Sequence, residues 1–369
     1  MANQKFCVFC GELPESKNKE HVLPQWLIKM TGDPRRVVPI GFNYKTQKEI
    51  SFDWTSLTVP ACEACNTEFS ELEGKTRPLV ETLLERGALC SGDYFVLLDW
   101  LDKVRVGLWL NYHILQGNPS GIEPSFHIKS RMRKKDRFLA VYPIADSKKG
   151  LNPKGVETIA FHQSPSAFGL RINNIFIVNG SSDYLFSARC GFPYPSKMEL
   201  ILDGENFGSM QMGEFSSTKK IKHPLLRFSL HKPSVYIFQP IMQKSIGSSE
   251  QTERAFLGGN PMGDVFLNEN TMSGQYPGVG KLYRQFNDSV VRLDDEGALI
   301  EFDSIKGAEC KSVGMLVSQV YELQMYLEGL YLPLARNIEV RTSWNERQKI
   351  IKAQNKMIIR SCMKKNTQS

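Results

Sequence analysis

The chain has 369 residues, of which 41% are hydrophobic and 23% charged, enough apolar material for a sizeable core and enough length for two domains. The net charge of +7 permits a nucleic-acid partner without requiring one, and it is unevenly spread. Residues 1–90 hold 11 basic and 12 acidic side chains (net −1), leaving 46 − 11 = 35 basic and 39 − 12 = 27 acidic (net +8) in the remainder.

No segment offers the roughly 18 uninterrupted apolar residues of a membrane span. The most apolar run, Tyr94–Leu115, is broken by Asp99, Asp102, Lys103 and Arg105. The N-terminus, MANQKFCVFCGE, has no apolar stretch followed by a small-residue cleavage site. The expectation is a cytoplasmic protein with no membrane association. In a reducing compartment, closely spaced cysteines point to metal rather than to disulfides.

In chain order, residues 5–12 read as a tight knuckle, and His21–Met30 as a strand end running into a short helix. Arg36–Phe42 and Ile50–Trp54, rich in β-branched and aromatic residues, predict a hairpin. Asn66–Arg86 has helical spacing, with Pro78 expected to break or kink it. Over Asp93–Gln116 the residues Phe95, Leu98, Leu101, Val104, Leu108, Tyr112 and Leu115 predict an amphipathic helix with one apolar face, ended by Gly117-Asn118-Pro119. Phe138–Tyr142, Ile172–Val178 and Val235–Phe238 read as strands of a mixed region with several antiparallel pairs. Gln243–Gly280 is rich in Gly, Ser, Asn and Pro and reads as a loop. Val313–Leu330 and the basic Asn345–Lys365 complete the predicted helices.

Two Cys-x-x-Cys pairs stand out, Cys7/Cys10 and Cys62/Cys65. Two intervening residues let both thiolates reach one ion from a single turn, and two such turns complete the tetrahedral four-thiolate site that zinc favours. Between the pairs lies Lys19-Glu20-His21-Val22-Leu23-Pro24. Directly after the second comes Asn66, followed by Phe69-Ser-Glu-Leu-Glu73.

This interleaved order resembles the zinc-containing HNH (His-Me finger) endonucleases over residues 5–75. The resemblance implies a treble-clef, ββα-metal module in which a structural zinc clamps the scaffold and one divalent ion, Mg²⁺ or Mn²⁺, serves the chemistry. It implies that His21 is the general base and that Glu20 and Asn66 are oxygen ligands of the divalent ion. A neutral imidazole can take a proton from water at working pH, and adjacent residues on a strand diverge, so one can hold metal while the other faces water. The last motif position, often His in that family, is Asn66 here. The central Asn has no clear counterpart, with Ser56, Thr58 and the more distant Asn43 as substitutes. Glu73 is either an extra ligand or a solvated helix charge.

Lys129, Arg131, Arg133, Lys134, Lys135 and Arg137 form a basic run that either tracks a phosphate backbone or solvates a loop. A second basic set, Arg347, Lys349, Lys352, Lys356, Arg360, Lys364 and Lys365, lies along the last helix and is either a nucleic-acid-binding arm or a surface face. Cys90, Cys190, Cys310 and Cys362 are scattered and read as buried thiols. The expectation is therefore an α+β protein. Residues 1–90 form the HNH module, and 91–369 a larger α/β domain for target recognition or regulation. The module's substrate would be DNA, with RNA open, and its setting defence against foreign DNA. The alternative is a zinc protein that binds nucleic acid without cutting it.

Overall fold

The computed structural model describes residues 6–14, 18–42, 46, 48–115, 136–145, 148–192, 194–195, 197–203, 206–212, 215–216, 233–240, 282–286, 289–302 and 313–366. The first strand, β1 (Asn18–His21), runs into α1 (Gln25–Met30) and the hairpin β2 (Val37–Phe42) and β3 (Glu49–Asp53). The chain then returns as β4 (Thr58–Ala61), which pairs antiparallel with β1, and turns into α2 (Glu63–Leu84). β5 (Leu89–Cys90) leads into α3 (Asp93–Leu115).

The rest is built on an antiparallel sheet. Its strands are β6 (Asp136–Pro143), β7 (Leu151–Lys154), β8 (Ala167–Ile172) and β9 (Ile175–Ser182), with α4 (Ile159–Gln163) inserted and α5 (Leu185–Cys190) following. Short ribbons follow: β10 (Tyr194–Pro195), β11 (Met198–Asp203), β12 (Asn206–Met212) and β13 (Phe215–Ser216). β14 (Val235–Gln239), β15 (Leu282–Phe286) and β16 (Ser289–Leu293) complete the sheet, whose seven strands lie in the order β16-β15-β14-β6-β9-β8-β7. β17 (Leu299–Ile300) pairs with β5. The chain ends in α6 (Val313–Tyr331) and α7 (Ile338–Asn366).

β6 sits mid-sheet and is buried along all its length. Its side chains alternate between two cores, as the strand period of two requires. Leu139 and Val141 join the core that contains α3, and Phe138, Ala140 and Tyr142 join the one built on Leu316, Val320 and Leu327 of α6. The sheet is thus a middle layer with α3 on one face and α6 on the other.

α3 differs from its sequence expectation. It is buried on every side, not on one apolar face, because it is the shared spine of the molecule. Residues of the N-terminal region, including Phe9, Val22, Leu27 and Val59, pack into the same core as Trp100, Leu139, Ile177 and Ile237. Packing is therefore continuous across position 90. The helix's charges are matched internally: Arg137 Nη1 lies 2.7 Å from Asp99 Oδ1 and 2.8 Å from Asp102 Oδ2, and Arg105 Nη2 lies 2.7 Å from Asp102 Oδ1. This corrects the reading of Arg137 as a phosphate contact, since it is 1% exposed and neutralised by α3. Lys129, Arg131, Arg133, Lys134 and Lys135 lie outside the described residues, as does 243–280.

Three further expectations shift. α2 runs unbroken through Pro78, whose ring lies on the exposed side, while Phe69, Thr76, Val80 and Leu83 anchor the buried side before and after it. Ile172–Val178 is two strands, with Asn173 at φ 49° making the turn. The last helix starts at Ile338, ahead of the expected Asn345. Among the described residues, no helix is long and apolar enough to cross a membrane.

Candidate metal centre and the His21 strand

The knuckle forms because the chain folds back on itself within a few residues. Gly11 N–H donates to Cys7 O at 2.8 Å and Cys7 N–H to Glu12 O at 2.9 Å. Gly11 takes φ 84°, a left-handed conformation that glycine adopts without a Cβ clash. Val8 N–H donates to Pro60 O at 3.0 Å, fastening the knuckle to β4. At the other end Cys62 caps α2, its Sγ accepting from Cys65 N–H at 3.5 Å. The rings of Phe9 and Phe69 lie 4.4 Å apart in the same buried core as Cys7 and Cys65.

The four sulfurs of Cys7, Cys10, Cys62 and Cys65 all lie within 4.8 Å of one another, and Cys10 Sγ is 3.8 Å from Cys62 Sγ. A tetrahedral ion with bonds of about 2.3 Å to sulfur demands sulfur separations of about 3.8 Å. The donor set and its spacing fit zinc. Burial raises the Cys7 thiol, but hydrogen bonds with the Cys10, Cys62 and Phe9 backbone bring it down to about 7. Burial and the neighbouring thiols push Cys65 up. Four thiols this close are stable as thiolates only with a cation among them.

His21 ends β1 opposite Thr58, and Val22 N–H donates to Leu57 O at 3.1 Å. Asn66 stands in the first turn of α2, its N–H bound to Cys62 O at 3.0 Å. Both residues are half-buried, and neither side chain has a hydrogen-bond partner among the described residues. Cys62 and Cys65 therefore fix the helix turn bearing Asn66, while β4, pinned by the knuckle, fixes the strand bearing His21.

Glu20 diverges from His21 as the strand geometry requires, but its partner is Lys103. Lys103 Nζ lies 2.7 Å from Glu20 Oε1, donates to His21 O at 2.9 Å, and contacts the carboxylate of Glu73. Lys103 and Glu20 are buried, and the Glu73 side chain is 13% exposed. The carboxylate expected to ligate a divalent ion is thus neutralised by an ammonium of the chain itself. Glu73 is neither a solvated helix charge nor a free ligand. Burial pushes its carboxyl up to about 7, against the pull of Lys103, and the nearby Glu20 adds to the rise. For a hard divalent ion, the donors left uncommitted are the Asn66 amide oxygen and the His21 ring, so Glu20 fits that role poorly.

The residues that sequence reasoning passed over are on α3. Lys103, Gly107 and Asn111 recur every four residues and so share one helix face. Lys103 holds Glu20 and the His21 carbonyl. Asn111 Nδ2 donates to Thr58 O at 2.9 Å. Between them, Gly107 lets the helix close on Val22: a Cβ there would stand 3.1 Å from Val22 Cγ1. One face of α3 thus grips both strands of the β1–β4 pair at the position of His21. The signal was present as charges inside an apolar run, but their partners lie more than eighty residues away for Glu20 and fifty for Thr58.

No protein-family model, curated protein or solved structure matches the chain.

Proposed function

We propose that this protein is a metal-dependent endonuclease that hydrolyses phosphodiester bonds in DNA, with a zinc-clamped module of the HNH kind at its N-terminus. The observation that carries the reading is the four-cysteine cluster, with Asn66 in the helix turn that it caps and His21 on the strand paired to β4, which the knuckle fastens. His21 takes the proton from the attacking water, since an imidazole is poised to do so near neutral pH. Thr58 opposite and Lys103 on its carbonyl hold its strand rigid. Asn66 presents an amide oxygen toward the scissile phosphate region from a helix whose first turn the zinc cysteines cap. A bound Mg²⁺ or Mn²⁺ would stabilise charge on the phosphate oxygens. Asn66 is its foremost protein ligand, with water and phosphate oxygens filling the rest, as Mg²⁺ commonly accepts. A role in defence against foreign DNA belongs to this same reading.

One observation favours a second reading, a zinc protein that binds nucleic acid without cutting it: the capture of Glu20 by Lys103, which removes a carboxylate from the candidate ion site. A plasmid-cleavage time course with purified zinc-loaded protein in Mg²⁺, in Mn²⁺ and with neither ion added separates the two. Nicking or linearisation that requires the added Mg²⁺ or Mn²⁺ supports the nuclease. DNA binding with no cleavage in either metal, at full zinc content, supports the second reading and sinks the first.

A further inference from the structure

The last helix, α7, carries an exposed stripe of cations with no ion-pair partner among the described residues. At 100° per residue, Arg341, Lys349, Lys352, Lys356 and Arg360 fall within a sector roughly 100° wide, and at 1.5 Å per residue they extend over roughly 28 Å. All five are exposed, and none makes an ion pair among the described residues. The two acids of the helix, Glu339 and Glu346, lie on the flank of this sector. Arg347, by contrast, points inward, where its Nη2 lies 3.1 Å from Glu328 Oε2 and its guanidinium stacks 4.2 Å from the Trp344 ring. Of the six basic residues of the helix up to Arg360, one is therefore spent on the core and five are presented together.

We propose that this stripe is a docking surface for the phosphate backbone of duplex DNA. The choice of DNA rests on the function proposed above; the presence of a polyanion site rests on the stripe itself. Lys349, Lys352, Lys356 and Arg360 follow one another at three- and four-residue intervals, which places charges about 4.5–6 Å apart along the axis. A duplex offers one phosphate about every 3.4 Å of axis per strand, so the roughly 16 Å from Lys349 to Arg360 spans about five phosphates, within reach of the four long side chains. A lipid surface fits less well. A helix that lies in a membrane inserts a wide apolar face, whereas Val340, Trp344 and Ile351 of α7 are buried, Ile358, Ile359 and Cys362 rest on the α6 core, and the exposed Ile338, Ile350, Met357 and Met363 are scattered along the helix with no aromatic residue among them. The stripe itself carries no aromatic anchor of the sort that protein partners favour.

Contacts of this kind act by releasing counterions and set the salt dependence of binding. The test is fluorescence anisotropy of a labelled 30-base-pair duplex with the full, zinc-loaded chain, with no added Mg²⁺ or Mn²⁺ so that binding is read apart from cleavage, from 50 to 200 mM NaCl. Five contacts give a slope of log K against log salt of about −4, a loss of affinity of several hundredfold across that range. The combined variant Lys349→Gln, Lys352→Gln, Lys356→Gln, Arg360→Gln keeps helix propensity and is expected to flatten the slope by about 3 to 4. The double variant Lys352→Gln, Lys356→Gln, flattening it by about 2, serves if the larger change disturbs the fold, as judged by circular dichroism and zinc content. Unchanged slope and affinity in a folded variant would overturn the proposal. So would a stripe-dependent binding to phosphatidylserine vesicles with no stripe dependence on the duplex. Because no cleavage is measured, a failure here leaves the assignment of His21 standing, and the reverse.

Discussion

Lys103 Nζ stands 2.7 Å from Glu20 Oε1, a buried ion pair formed across 83 residues of sequence, and the same ammonium holds the carbonyl of His21 and reaches Glu73. This one cation joins β1, α2 and α3. Replacing it as Lys103→Met leaves two buried carboxylates without a counterion and is expected to cost about 3–5 kcal/mol. Adding Glu20→Gln and Glu73→Gln to that variant should restore much of the loss. Urea unfolding reads both; a cost below about 1 kcal/mol for Lys103→Met alone would show that the pair does not hold the strand.

Two glycines give opposite expectations. In Gly107→Ala the new methyl meets the buried Val22 at 3.1 Å, so Val22 must shift within the core, and the variant should lose about 1–3 kcal/mol despite the better helix former. Gly74→Ala, in the exposed middle of α2 with nothing within 4 Å, should gain about 0.5–1 kcal/mol. Thermal unfolding of the two variants side by side checks the pair, and a stabilising Gly107→Ala would mean that α3 does not press on the His21 strand.

The zinc centre predicts a stoichiometry and a selectivity. Purified protein should carry one zinc per chain, and cobalt exchange should give the visible bands of a tetrahedral four-thiolate site. Cys65→Ser should lose the metal and unfold the N-terminal region, because binding energy at such sites is folding energy. Cys190→Ser should retain it. Equal zinc content in both variants would remove the four-cysteine centre from the account.

Asp136 gives the pH dependence. Burial pushes its carboxyl up to about 6, although Ser182 and Ser187 donate to it, with Ser182 N–H at 3.0 Å and Ser187 N–H at 2.8 Å. A folded-state value above the ordinary carboxylate value means that the folded chain binds the proton more tightly. Its contribution to stability is present below about pH 4 and is lost as the pH rises through about 6. The difference in unfolding free energy between wild type and Asp136→Asn should therefore shrink over that window, by about one proton's worth of slope, and a flat difference would contradict the assignment.

Much of the N-terminal region was legible because its constraints are local. A pair of cysteines with two residues between them makes its own turn, and the hairpin of β2 and β3 follows from β-branched and aromatic residues. The roles of Glu20 and Glu73 were not legible. Whether a carboxylate meets a metal ion, water or a lysine depends on what packs over it, and here that is a helix beginning at Asp93. The same holds for α3: its apolar periodicity is that of a half-buried helix, but Asp99 and Asp102 are absorbed by Arg137, which reads in sequence as one more surface cation, and Arg105 is absorbed by Asp102. Pro78 leaves α2 unbroken for a different reason, since a proline on the exposed side of a helix anchored at both ends does not end it.

The central claim, that His21 is the base of a phosphodiester hydrolysis, is tested most directly by a single-turnover comparison of wild type and His21→Ala on the same DNA, with zinc content and folding matched. The account predicts metal-dependent cleavage by the wild type and a rate lower by about two to four orders of magnitude in the variant, with DNA affinity unchanged. Cleavage at the wild-type rate by His21→Ala would contradict it.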